Sequence, residues 1–142
     1  MLNLMPNRYV RLFTMKKKYR WTEILYAPNV LEHQSITIGI IVWDPLNGAL
    51  VEVSKRTDWS AVLRLDPDAD TEFLGAGVDE LEQQFRQWDE AGRERMMAQL
   101  SMNIIFSDRL EIETDDPGEA LKQLARARGL SRQSGPDRNL RA

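Results

Sequence analysis

The chain has 142 residues, of which 19 are basic, 22 are acidic, one is histidine and none is cysteine, and its net charge is −3. This length suits a single domain, and the 42% apolar and 29% charged residues are typical of a globular protein. The composition excludes disulfide-stapled folds, cysteine-ligated metals, cysteine nucleophiles and any site with several histidines from one chain. We therefore expect a small cytoplasmic protein.

The first half of the sequence predicts antiparallel hairpins. Residues 19–27 mix aromatic and β-branched types and indicate a strand that ends at Pro28-Asn29. Residues 35–43 are the clearest strand, apolar on both faces towards the end, as in a central strand covered on both sides. Residues 44–48 (DPLNG) predict a turn, and residues 49–54 return as the hairpin partner. Gly39 lies in mid-strand, which indicates a bulge or a close backbone approach.

The middle of the chain predicts helices. Asp58 is expected to cap a short helix that ends at Leu65, and residues 66–70 form a loop. A helix beginning at residues 71–74 is expected to be interrupted by Gly75 and Gly77. The helical spacing then resumes with an apolar face, and Gly92 is expected to end it; the face comprises Val78, Leu81, Phe85 and Trp88. Met96, Met97 and Leu100 predict a further helical piece.

The last part of the domain predicts a broken strand and a helix. Residues 103–106 and 110–113 indicate strand, with a kink at Ser107-Asp108. Asp116-Pro117 predicts a helix start, and Gly129 predicts its end. We expect Leu121, Leu124 and Ala125 to face inward.

The order of these elements predicts an α+β fold: an antiparallel sheet built from N-terminal hairpins, with helices packed on one face. Residues 19–129 form the predicted domain. Residues 1–18 form a basic N-terminal extension, in which Met15 is an alternative start, and residues 130–142 form a disordered basic tail.

Four carboxylates at alternate positions resemble the start of a calcium-binding loop: Asp66, Asp68, Asp70 and Glu72. The sixth position of such a loop should be Gly and is Thr71, and the twelfth should be Glu and is Gly77. We therefore interpret the segment as a turn in which Asp70 caps the next helix. We predict no metal site here.

His33 follows Glu32, and this pair could form a general base. No nucleophile motif accompanies the pair, so we interpret His33 as a surface loop residue. Gly75-Ala76-Gly77 lacks the further residues of a phosphate-binding loop. The sequence therefore predicts no catalytic, cofactor-binding or metal-binding residue.

Charge divides the chain into two basic ends and an acidic body. Residues 1–20 carry six bases and no acid, residues 21–119 carry 7 bases and 21 acids, and residues 120–142 carry six bases and one acid. The ends could contact nucleic acid, anionic lipid or an acidic partner, or they could fold back on the acidic body or simply be solvated. We favour the last two alternatives and expect no nucleic-acid binding. No apolar run is long enough to span a membrane.

The N-terminal half resembles domain-of-unknown-function family 3037, a group of small bacterial proteins. Residues 19–21 (YRW), 25–28 (LYAP) and 36–45 (ITIGIIVWDP) carry the resemblance, which covers about residues 19–90 and begins after Met15. The resemblance brings no established activity. It implies a partner or regulator, and a HipA-like kinase is the partner that it suggests.

Two classes of function stay open. The first is a non-enzymatic protein-interaction or regulatory module, and the second is a small enzyme or nucleic-acid processing factor that uses acidic residues with His33 or a metal. The sequence does not predict an oligomeric state. For the first class the predicted helical face supplies the expected partner contacts, which are Asp79, Arg86, Glu90 and Glu94.

Overall fold

The computed structural model describes residues 16–29, 32–99 and 103–131, and it shows an α+β fold within them. The elements in chain order are β1 (Lys17–Asn29), β2 (Gln34–Trp43), β3 (Leu50–Lys55), α1 (Ser60–Leu65), α2 (Thr71–Gln87), α3 (Glu90–Gln99), β4 (Ile104–Phe106), β5 (Leu110–Thr114) and α4 (Pro117–Ala127). The predicted fold class and the hairpins of the first half are confirmed.

One antiparallel sheet contains all five described strands. Its order is β3-β2-β1, and β4 and β5 follow one another along the other side of β1. The predicted kink at Ser107-Asp108 separates them. Ser107 N donates to the Glu23 carbonyl, and Glu23 N donates to Ser107 Oγ. Ser107 therefore satisfies the main chain of β1 at the point where its pairing changes from β4 to β5.

A bulge in β2 sits beside Gly39, as the sequence predicts. Ile24 pairs with Gly39 and Leu25 pairs with Thr37, so Ile38 is the extra residue. A Cβ on Gly39 would lie 3.2 Å from Ile24 Cδ1 and 3.2 Å from Val78 Cγ1. The glycine therefore allows α2 to approach the sheet closely.

Helices cover both faces of the sheet. On one face Ile24, Ile41 and Trp43 pack against α2 and α3, and on the other face Trp21, Ile40 and Val42 pack against α4. The expectation of helices on one face holds for α1, α2 and α3, whereas α4 lies on the opposite face. Because β2 is apolar on both sides, a second helical layer is needed to bury it.

Helix α2 is continuous, so the predicted interruption at Gly75 and Gly77 is wrong. Glycine inside a helix costs only about 1 kcal/mol. Burial of the apolar stripe of α2 offsets this cost; the stripe comprises Leu74, Val78, Leu81 and Phe85. Both glycines also face neighbours, since added Cβ atoms would contact Trp59 and Ile104.

The predicted end of this helix is also wrong. Helix α2 ends at Gln87, Trp88 is partly exposed, and Gly92 lies inside α3 rather than between helices. Asp89 starts α3, because its Oδ1 accepts a hydrogen bond from Gly92 N at 2.8 Å. Met96 and Met97 lie in α3, as the predicted further helical piece requires, and both are buried. Leu100 lies outside the described residues.

The predicted caps at Asp70, Asp116 and Gly129 are confirmed, whereas the N-cap position of α1 is Trp59, one residue after the predicted Asp58. Asp70 and Asp116 accept hydrogen bonds from Phe73 N and Glu119 N, and Gly129 follows α4 with a φ of 64°. Asp58 Oδ1 accepts from Ser60 N and Oγ at the start of α1. On α4, Leu121 and Ala125 are buried and Leu124 packs beside them.

The described secondary structure and core extend beyond the predicted domain bounds at both ends. Strand β1 begins at Lys17, inside the predicted extension. Leu130, placed in the tail by the sequence, is fully buried, and its carbonyl accepts from Thr57 N and Asp58 N. Its side chain packs in the apolar cluster between the sheet and α4, which we call the second core and which also contains Trp21 and Val42. Residues 1–15 and 132–142, which hold the rest of both basic ends, lie outside the described residues.

Replacing Gly39 by valine should destabilise the protein by about 1–3 kcal/mol, since the added methyl groups meet Ile24 and Val78. Urea unfolding measures the change. Gly77→Ala is the matched control, because its Cβ would lie 3.8 Å from Ile104 Cδ1 and alanine favours a helix. An equal effect of both substitutions would contradict the close approach at Gly39.

Candidate functional site

A groove lies between the β2–β3 turn and the corner that joins α2 to α3. Residues 45–50 form one wall and residues 86–90 with Arg93 form the other, around a volume of about 670 Å³. A second depression of about 570 Å³ is also lined by Trp88, together with Arg95 and Met96. Trp88 thus belongs to both depressions.

Asp44 shapes the turn that forms the first wall. Its Oδ1 accepts from Leu46 N at 2.9 Å, its carbonyl accepts from Gly48 N at 2.7 Å, and Lys17 Nζ donates to its Oδ2 at 2.5 Å. Gly48 closes the turn with a φ of 73°. The hydrogen bond from Lys17, followed by that from Leu46 N, lowers the pKa of Asp44, and the same contact raises the pKa of Lys17.

This turn presents Leu46 to solvent. The residue is 85% exposed, the highest value among the large apolar side chains of the described part of the chain. Because Asp44 Oδ1 accepts from its main-chain N–H, the backbone of Leu46 is held at the tip of the wall, and the side chain points to solvent rather than into the core.

Arg93 stabilises the second wall by binding the main chain of α2. Its Nε and Nη2 donate to the Phe85 carbonyl at 2.9 and 2.7 Å, and its guanidinium lies 5.4 Å from the centre of the Phe85 ring. The side chain is almost completely buried, and this burial lowers the pKa of Arg93. Arg93 therefore ties the last turn of α2 to α3 and holds Trp88 at the corner, where it is 39% exposed.

Only two of the four expected partner contacts lie at the groove. Arg86 and Glu90 line the groove, whereas Asp79 and Glu94 do not. Tertiary structure brings bases to the acidic residues: Asp79 pairs with Lys55 at 2.8 Å, and Glu94 pairs with Arg109 at 3.1 Å.

The two groove residues also have charged neighbours. Arg86 pairs with Glu82 at 2.7 Å, and Glu90 lies 3.9 Å from Arg20 and 4.0 Å from Arg93. Lys55 and Arg86 lower the pKa of Glu82 by hydrogen bonding, in that order. The helical face that the sequence predicts to be acidic therefore carries neighbouring positive and negative side chains in the folded protein.

The residues of the alternative class of function are not gathered into one site. His33 lies exposed in the β1–β2 turn with a φ of 58°, and Glu32 beside it is also exposed. Two of the four carboxylates in residues 66–72 have structural roles: Asp66 accepts from Tyr26 Oη and from Asp68 N, and Asp70 caps α2. Burial, and then Asp66, raise the pKa of Tyr26 to about 12. In residues 16–29, 32–99 and 103–131, no three histidine or carboxylate side chains are grouped as a metal site.

Sequence reasoning missed Leu46 and misplaced Trp88. Leu46 stands between Pro45 and Asn47 in a turn, and an apolar residue at such a position is a signal for surface function. Trp88 fits the helical spacing of a buried face, and only the start of α3 at Asp89 turns it outward.

No family model matches the chain, and no curated protein or solved structure is significantly similar to it. The resemblance to family 3037 therefore stays a prediction. None of the described helices has the length and apolar character needed to cross a membrane.

Replacing Asp44 by asparagine should remove an acid-dependent part of the stability. The native pKa of this carboxyl is lowered, so its contribution is present above the unfolded pKa and is lost as pH falls through the native value. Between neutral pH and about pH 3, the urea midpoint of the wild type should therefore fall more than the urea midpoint of Asp44→Asn. Asp68 is exposed, so the control variant Asp68→Asn should show the same fall in urea midpoint as the wild type. Parallel curves for wild type and Asp44→Asn would contradict the role of this ion pair.

Proposed function

We propose that the protein is a non-enzymatic interaction module that docks a partner protein in the groove between the β2–β3 turn and the α2–α3 corner. The observation that carries this proposal is the pair of exposed apolar side chains, Leu46 and Trp88, on opposite walls of one groove. Exposed apolar groups rimmed by polar residues are typical of interaction sites.

The hydrogen bonds that hold the two walls of the groove also favour docking. Buried Arg93 and the bonded turn at Asp44 hold the two walls, so a partner would meet a preformed surface. Preformed sites bind more tightly because less side-chain freedom is lost. Trp88 is of the residue type that dominates binding energy at protein interfaces.

The charges define the chemistry of the partner. Arg86 and Glu90 present opposite charges, and both side chains are about half exposed. We infer a partner segment with an apolar side chain for the space between Leu46 and Trp88 and with flanking charges of both signs. Asp79 and Glu94 belong to the surrounding surface in this proposal, because Lys55 and Arg109 already pair with them.

A photo-crosslinking amino acid at position 46, introduced in the cells that produce the protein, identifies the partner. A cytoplasmic partner is expected, and a HipA-like kinase is the first candidate to purify. Calorimetry then compares affinities. Leu46→Ser and Trp88→Ala should each weaken binding by about tenfold or more, as substitutions at interface centres do.

Phe73→Ala is the matched control, since Phe73 is an exposed aromatic residue that does not line the groove. It should leave the affinity unchanged. Unchanged affinity of both groove variants for the crosslinked partner would overturn the proposal. Turnover of a nuclease, phosphatase or esterase substrate that His33→Ala abolishes would favour the enzymatic alternative instead.

A further inference from the structure

Strand β5 forms part of a free edge of the sheet. It pairs with β1 on one side, and within the described ranges no strand lies on its other side. A strand at an edge exposes main-chain N–H and C=O groups that another strand can bind.

The hydrogen bonds of β1 show which groups of β5 point outward. The Glu23 main chain bonds to Ser107, and Ala27 N bonds to the Asn103 carbonyl, so odd-numbered residues of β1 face β4 and β5. Main-chain direction alternates along a strand, so Tyr19 and Trp21 face the same way.

These two residues are opposite Ile112 and Leu110. The main chains of Leu110 and Ile112 therefore bond to β1, and the N–H and C=O groups of Glu111 and Glu113 point away from the sheet. The free edge thus offers two donors and two acceptors, all on glutamate residues.

The side chains of β5 divide by face in the same alternating way. Leu110 is 46% exposed, and Ile112 packs at the margin of the second core. Glu111 and Glu113 are exposed on the opposite face and take part in none of the ion pairs of the described residues. Arg20 and Lys18 stand across from them on β1.

We propose that the β5 edge binds an extended segment of another protein in which Lys or Arg alternates with apolar residues. The segment adds a sixth strand, its bases beside Glu111 and Glu113 and its apolar side chains beside Leu110 and Ile112. Each glutamate then has a base on both sides, and opposite charges across strands stabilise a sheet.

A second copy of the chain fits this edge poorly. Antiparallel pairing of β5 with itself would place glutamates of both copies across from one another on one face, which is destabilising. The proposal rests on the sheet edge alone and is independent of the groove at Leu46 and Trp88.

The test uses labelled peptides with alternating Lys-Val and, as the matched control, alternating Glu-Val sequences. Fluorescence anisotropy measures affinity, and amide hydrogen exchange by NMR locates the bound strand. The Lys-Val peptide should bind and should protect the Glu111 and Glu113 amides, whereas the Ile112 amide is protected before peptide is added. The Glu-Val peptide should not bind.

Two variants separate the backbone from the charge. The double variant Glu111→Gln with Glu113→Gln should bind the Lys-Val peptide about threefold to tenfold more weakly. Glu111→Pro removes an outward N–H without breaking the ladder to β1 and should abolish binding, with an unchanged far-ultraviolet spectrum as its folding control.

Several results would overturn the proposal. These are no protection of the Glu111 and Glu113 amides at saturating Lys-Val peptide, equal binding of the Glu-Val peptide, or concentration-dependent self-association that protects these amides without peptide. Because all readouts concern β5, failure here leaves the groove variants at Leu46 and Trp88 as a separate test of the proposed function.

Discussion

The buried guanidinium of Arg56 joins the second helical layer to the sheet. Its Nε donates to the Thr37 carbonyl at 2.7 Å, its Nη1 donates to the carbonyls of Asp58 and Gly129 at 2.7 and 2.9 Å, and its Nη2 donates to that of Arg128 at 3.1 Å. A guanidinium has five N–H donors in a fixed fork, so it can bind several carbonyls that a lysine could not. Burial lowers the pKa of Arg56. One side chain thereby connects β2, the start of α1 and the end of α4.

The contacts around Arg56 continue across the same face. Arg128 lies with its guanidinium 5.1 Å from the Trp21 ring centre, and its Nε is 2.9 Å from Glu23 Oε1, which also accepts a hydrogen bond from Thr37. With both faces of β1 and β2 covered, exposed apolar surface remains where this coverage ends. The groove lies at the corner between α2 and α3, and the free edge lies at β5. Both proposed interaction surfaces thus follow from how two helical layers cover one sheet.

Local patterns predicted much of the fold, because strands, turns and caps depend on neighbouring residues. The bulge at Gly39 and the cap at Asp116 belong to this group. The continuity of α2 and the burial of Leu130 depend on tertiary packing, which no local pattern contains. The candidate site was only partly predictable. Arg86 and Glu90 were expected at a partner surface, but the groove needs a turn and a corner that are far apart in the chain.

The most direct test of this account is native-state hydrogen exchange of Arg56→Met and Arg56→Lys. Loss of the guanidinium leaves four carbonyls without their donors, and such groups are costly when buried. The amides of α4 and of Leu130 should lose protection in both variants by a larger factor than those of α2, because α2 packs on the other face. Equal losses in α2 and α4, or full protection in Arg56→Lys, would contradict the claim that Arg56 holds the second layer to the sheet.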